Sequence, residues 1–172
     1  MIRQGLSQWL FDPKNPLTAR VFVNRLWQQH FGTGIVQTVD DFGTQGTNPT
    51  NIQLLDYLAE EFIESGYNIK HMQKLIVMSA TYRQVSTIYR DALEKDPNNF
   101  YLEHGPRYRL PAEIIRDNAL KASGLLIEKV GGDSVFPYAP GDIWDGVAQG
   151  EVVYPTNVTS DQMYRRSMYT YI

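Results

Sequence analysis

Apolar residues recur along this chain at the spacing of helix faces, and the breaks between the runs fall on cap and turn residues. Ile2 to Phe11 is a short amphipathic segment with Leu6, Trp9 and Leu10 apolar, ended by Asp12 and Pro13. Asn15 as N-cap, Pro16 at the first helical position and Gly32 just past the end mark a helix over Pro16 to Phe31. Thr50, with Gln53 three residues on, reads as a capping box opening a helix from Asn51 to Ser65, with a stripe of Leu54 or Leu55, Leu58 and Phe62 and a stop at Gly66. Asn68 caps the next helix, whose buried side is Ile69, Met72, Leu75, Ile76 and Tyr82, with Tyr67 and Met72 spaced as a hydrophobic staple. These two helices predict a hairpin. A polar break at Asp96 to Asn99, containing Pro97, predicts a loop.

Pro111 starts a further helix predicted to run to about Lys129, ended by Gly131 and Gly132, with an apolar arc of Ile115, Ala119, Leu120, Ala122, Leu126 and Ile127. The stretch from Val135 to Pro155 is dense in Pro, Gly and aromatics and predicts an ordered irregular loop. The terminal YRRSMYTYI alternates loosely and predicts a strand, open to association or paired backward with Glu151 to Tyr154. The fold class that follows is mainly α: a helical bundle-like domain with a helical hairpin, long ordered aromatic/Pro/Gly loops and minor C-terminal β. Residues 1–172 are expected to form a single domain, an incomplete portion of a larger pattern.

Two polar residues interrupt this pattern in an informative way. At about 100° per residue, Arg20 and Asn24 fall within roughly 60° of Leu17, Trp27 and Phe31, on the apolar face of their helix. An unpaired guanidinium there is costly, so Arg20 is expected to reach Asp40 or Asp41, the nearest acidic residues of the following turn, and its loss to cost about 3 to 5 kcal/mol. Arg116 likewise projects from the middle of an apolar arc, with Glu113 one turn earlier. Arg20, Asn24, Arg25, Asp40, Asp41, Glu113 and Arg116 are therefore the candidate polar cluster. They could hold an anionic group and supply an acid or base, or they could be an internal network that fixes the fold.

Composition narrows the chemistry further. Sixteen basic against 19 acidic residues give a net charge of −3, and no Lys/Arg run stands out, which argues against nucleic acid as a partner. With no cysteine, the chain holds no disulfide, thiolate metal site or covalently attached c-type haem of its own. The N-terminal residues lack the regions of a signal peptide, and no apolar run has the length to span a bilayer. His30, His71 and His104 have no metal-type spacing, so neither a metal site nor a cofactor is expected in this chain. Asp41-Phe42-Gly43 matches the kinase magnesium tripeptide in letters alone, without a phosphate-covering glycine loop. Phe136, Tyr138, Trp144 and Tyr154 are rings that could stack on a glycan or cover a core.

The strings NPLTARVFVNRLWQQHFGTGIVQTVDDFG, LLDYLAEEFIESGY, SATYRQ, YRLPAEIIRDNALKASGLL, GGDSVFPYAP and YRRSMYTY, in this order, resemble the bacterial domain-of-unknown-function family 1553, of planctomycete type. The resemblance covers almost the whole chain. It implies a place after a cytochrome-c-like module in a larger exported protein, periplasmic, cell-surface or secreted, with haem c held by another domain. Asn51 stands where the family often has a histidine, and the family pattern continues beyond the YRRS motif. Two functions are compatible with the resemblance. One is a non-catalytic structural or interaction module contacting neighbouring domains or a second copy. The other is part of an enzyme acting on polysaccharide, with the Arg/Asp cluster lining its site. The absence of nucleophile, phosphate-loop and cofactor motifs favours the first.

Overall fold

The computed structural model describes residues 2–12, 14–137 and 158–170. The chain is mainly helical, with α1 (Ile2–Leu10), α2 (Thr18–Phe31), α3 (Ile52–Glu64), α4 (Ile69–Met78), α5 (Ala80–Arg83), α6 (Arg90–Lys95), α7 (Ala112–Ala122) and α8 (Ser160–Met163). A one-turn 3-10 helix follows at Ser167–Tyr169. The helices fall into two compact units, Met1–Tyr108 and Arg109–Ile172.

The first unit is built on α2, α3 and α4. Val23, Leu26, Trp27 and Phe31 of α2 meet Leu55, Leu58 and Phe62 of α3 and Met72 and Ile76 of α4, and Ile35 and Val36 close the cluster from the turn after α2. Phe22 stacks on Phe62 with ring centroids 4.6 Å apart. The predicted caps hold with shifts of a residue or two. Asn15 Oδ1 accepts from the amides of Leu17 and Thr18, so the chain is turned there and α2 begins at Thr18 rather than Pro16. Gly32 ends α2 in the left-handed region, as its position predicts.

Asn51, not Thr50, is the N-cap of α3, accepting from Leu54 N. The predicted capping box is absent because both the amide and the hydroxyl of Thr50 are spent on Ile35 O, which ties the start of α3 to the turn after α2. Asn68 caps α4 as expected. Ser79 then breaks the helix and caps the short α5, so Tyr82 lies outside α4 and is 37% exposed rather than buried, and Ile69 is 46% exposed.

In the second unit, α7 ends at Ala122, well before Lys129. Gly124, at φ +74°, turns the chain in a conformation that L side chains rarely adopt, and it overrides the apolar run Leu125 to Ile127. The C-terminal segment is not the continuous strand its alternation predicts. Among the described residues its β character is two isolated parallel bridges, Ile127 with Arg165 and Val135 with Thr170, separated by the 3-10 turn. The pairing partner considered for it, Glu151 to Tyr154, lies outside the described residues, as does most of the Val135 to Pro155 loop.

Candidate functional site

Asn24 is completely buried, and its carboxamide brackets one peptide group of the turn after α2: Nδ2 donates to Val36 O and Oδ1 accepts from Val36 N, both at 2.9 Å. A helix side chain thus replaces the strand or helix partner that Val36 lacks. The close approach needs Gly34, since a Cβ there would sit 2.5 Å from Val36 O and 2.7 Å from Asn24 Nδ2. The polar residue on the apolar face is a clasp for backbone.

Arg20 does not pair with Asp40 or Asp41. Its Nε meets Asp56 Oδ1 of α3 at 2.6 Å, and Nη1 donates to Pro16 O. Asp40 instead receives Arg25 at 2.9 Å, with both side chains exposed. Arg20 and Arg25 are five residues apart, roughly 140° around the helix, so one loop cannot serve both. Asp41 accepts from Gly43 N, and its carbonyl accepts from Thr38 Oγ1 in a self-contained turn that includes Thr47. Within the first unit these residues form separate local contacts rather than one convergent site.

Arg116 donates through Nη1 to Arg165 O at 3.0 Å and Ser167 Oγ at 3.1 Å, and through Nη2 to Met163 O at 2.6 Å. Glu113 forms no ion pair with it; α7 presents that side chain to solvent in its first turn. Asp117, the next residue, accepts from both the amide and the hydroxyl of Ser167, at 2.9 and 2.8 Å. Arg165, 4% exposed, crosses the Gly131-Gly132 turn and donates to the carbonyls of Lys129, Gly131 and Asp133, while its guanidinium lies 4.0 Å from the Tyr169 ring centre. Asp117, Arg165 and Ser167 were not predicted from sequence. Their signal was the Arg116-Asp117 and Arg165-Ser167 spacing, which presents donor and acceptor together on each side.

Among the clefts of the first unit, two adjoin one another. One, of about 470 Å³, lies between the Gly32 to Ile35 turn and the 97–108 segment, with Trp27, Asn98, His104, Arg107 and Tyr108 in its walls. The Tyr108 hydroxyl donates to Gln29 O, and burial, with Tyr82 nearby, pushes its pKa up. A second cleft, of about 830 Å³, runs past Leu54, Tyr57, His71, Lys74 and Met78 and shares Trp27, Asn51, Leu54, Tyr101 and Leu102 with the first.

A family model described as PSD1, protein of unknown function (DUF1553), matches residues 2–172. The chain belongs to that family. Neither the comparison with curated proteins nor that with solved structures gives a match. In this DUF1553 chain, the segments VFVNRLW and GTGIV supply the Asn24 clasp, and IIRDNAL and YRRSMYTY supply the two sides of the Arg116 network. Among its described residues no group of three or more His, Asp or Glu could hold a metal ion, and no helix is long and apolar enough to cross a membrane.

The Arg20 and Asp56 side chains are 32% and 45% exposed, so the 3 to 5 kcal/mol of a fully buried pair does not apply. A double-mutant cycle of Arg20→Ala and Asp56→Ala is expected to give a coupling of about 1 kcal/mol or less, and Arg25→Ala to change stability by at most about 0.5 kcal/mol. A coupling well above that would place the pair in a drier setting than its exposure indicates.

His30 behaves differently. Its Nε2 is buried without a hydrogen-bond partner, the ring meets Tyr82 edge-on at 5.6 Å, and burial lowers its pKa below the ordinary value of 6.5. Between the depressed folded pKa and 6.5 the unfolded chain binds the extra proton, so His30 costs no stability above that window and progressively more as pH falls through it. Melting curves from pH 7.5 to 5 should show a decline that is smaller in His30→Gln. An identical slope in both proteins would show that other groups carry the pH dependence.

Proposed function

We propose that the chain is a non-catalytic structural or interaction module of a larger exported protein of planctomycete type, in which a neighbouring cytochrome-c-like domain carries the redox chemistry. The observation that supports this reading is how its buried and half-buried polar side chains are used. Asn24, Arg116 and Arg165 donate to the chain's own carbonyls, and Asp117 accepts from Ser167. Groups committed to backbone in this way rigidify the scaffold and have little capacity left for a substrate. Of the other members of the candidate cluster, Arg20 pairs with Asp56, Arg25 and Glu113 are exposed on helices, and Asp40 and Asp41 are exposed on a local turn. Incubation of the purified chain with chromogenic glycosides, esters and phosphomonoesters is expected to give no turnover above buffer. Turnover that disappears in Asp41→Asn or Arg25→Gln, with the melting temperature unchanged, would replace this reading with an enzyme built on the Arg/Asp cluster.

A further inference from the structure

We infer that the face of the first unit around Tyr101 is a binding trough for an acidic oligosaccharide, an inference that names the ligand of the interaction module proposed above and rests on that reading. The two clefts share the wall formed by Tyr101 and Leu102 and the floor formed by Trp27, so an elongated ligand can occupy both. Their combined size is in the range that holds more than one small ring. Neither cleft is lined by an Asp or Glu among the described residues, although the chain carries a net charge of −3. The basic side chains are distributed along the trough: Arg107 and His104 on one side of Tyr101, Lys74 and His71 on the other. His71 is already paired with Glu61, whereas Arg107 and Lys74 have no ion-pair partner among the described residues. Two separated cations without counter-charges suit a ligand that repeats a carboxylate along its length.

The loop between them is held in an unusual conformation. Asn99 and Leu102 have φ of 54° and 55°, a region that non-glycine residues rarely occupy. Asp96, nearly buried, accepts from Tyr101 N at 2.7 Å; Gln84 Nε2 donates to Leu102 O at 2.7 Å; and the Asn99 carboxamide engages both the N–H and the carbonyl of His104. These bonds fix the backbone while leaving the Tyr101 side chain 81% exposed. A rigidly mounted, solvent-facing ring costs little entropy to bind against, and its face suits the C–H side of a sugar. Thr33 and Asn98, whose side chains make no hydrogen bond to another described residue, offer partners for hydroxyls. An acidic peptide fits less well. The described residues of the first unit contain no strand to which one could add, and Thr33, Asn98 and Arg107 interrupt the apolar lining that a docked helix needs.

Titration of tri-galacturonate into the 172-residue chain, read by calorimetry and by tryptophan fluorescence, tests this. Maltotriose serves as the neutral saccharide and hexaglutamate as the acidic peptide. Saturable binding of tri-galacturonate is expected, weakened by added salt and at least about fivefold tighter than either comparison ligand. Arg107→Ala, Lys74→Ala and Tyr101→Ala should each weaken it about fivefold at unchanged melting temperature, because all three side chains are exposed. No saturable binding, binding indifferent to all three substitutions, or equal binding of hexaglutamate would overturn the trough as a saccharide site. Shortening of tri-galacturonate during the titration would instead leave the trough standing and overturn the non-catalytic reading.

Discussion

Asn24→Ala is expected to lower the stability of the chain by about 3 kcal/mol or more, a fall of roughly 6 to 12 °C in melting temperature for a protein of this size. The substitution removes two hydrogen bonds of 2.9 Å and leaves the Val36 N–H and carbonyl facing a dry pocket, since both residues are 2% exposed or less. Each orphaned buried group costs about 1 to 3 kcal/mol, which exceeds the worth of the bonds themselves. Asn24→Asp separates the two roles. Its carboxylate can still accept from Val36 N but repels Val36 O at neutral pH, whereas the protonated acid can donate as the amide does. Its folded pKa is therefore raised above the unfolded value of about 3.9, so stability is regained as pH falls toward that value and lost as pH rises through the folded pKa. Gly34→Ala should reproduce much of the loss by pushing the clasp apart, because the added Cβ meets backbone and carboxamide rather than a flexible side chain. Chemical denaturation of the three variants, with Arg25→Ala as the surface control, checks the set. An Asn24→Ala midpoint matching that control would show that water satisfies Val36.

The burial of Asn24 followed from periodicity, because angle around a helix axis is a local property, whereas Arg20 and Arg116, placed inward on the same ground, are only half-buried, and Ile115 of the Arg116 arc is 48% exposed. Their partners were not legible in the same way. Periodicity does not say which element crosses the helix, so Arg20 was referred to the nearest acids in sequence, Asp40 and Asp41, when α3 brings Asp56 from 36 residues away. The Asn24 partner was hidden for a different reason: it is a peptide group and has no side-chain signature except the glycine, Gly34, that lets it come close. Caps were readable wherever one residue decides them, as at Gly32 and Asn68. They were misread where a side chain was diverted to a distant partner, as Thr50 is to Ile35. In the second unit the apolar letters of Leu125 to Ile127 extended a helix that the backbone of Gly124 ends, a case of local conformation outweighing pattern. The terminal alternation suggested a strand and gave no sign of the 3-10 turn that interrupts it, nor of the burial of Arg165.

Arg165→Ala is expected to be the most damaging single change in the second unit, at about 3 kcal/mol. The guanidinium is nearly buried and donates to three carbonyls of one turn, at 3.0, 3.2 and 2.6 Å, so its removal strands acceptors that have no other described donor and leaves a void against Tyr169. Arg165→Lys should recover little, since a single ammonium lacks the planar fork that reaches Lys129, Gly131 and Asp133 together. Arg116→Ala should act on the same segment from the other side by releasing Met163 O and Arg165 O. Because Asp117 would still hold Ser167, its effect should be the smaller of the two. Amide hydrogen exchange resolves this better than a melting temperature. The reporters are Ile127 N, bonded to Tyr164 O, and Val135 N, bonded to Tyr169 O, which mark the two bridges flanking the arginine. Arg165→Ala should accelerate exchange at both by about a hundredfold, the factor that a loss of about 3 kcal/mol in local opening free energy produces. Unchanged protection at Ile127 and Val135 would mean that the bridges hold the turn unaided and that the buried arginine is a passenger of the fold rather than its clamp.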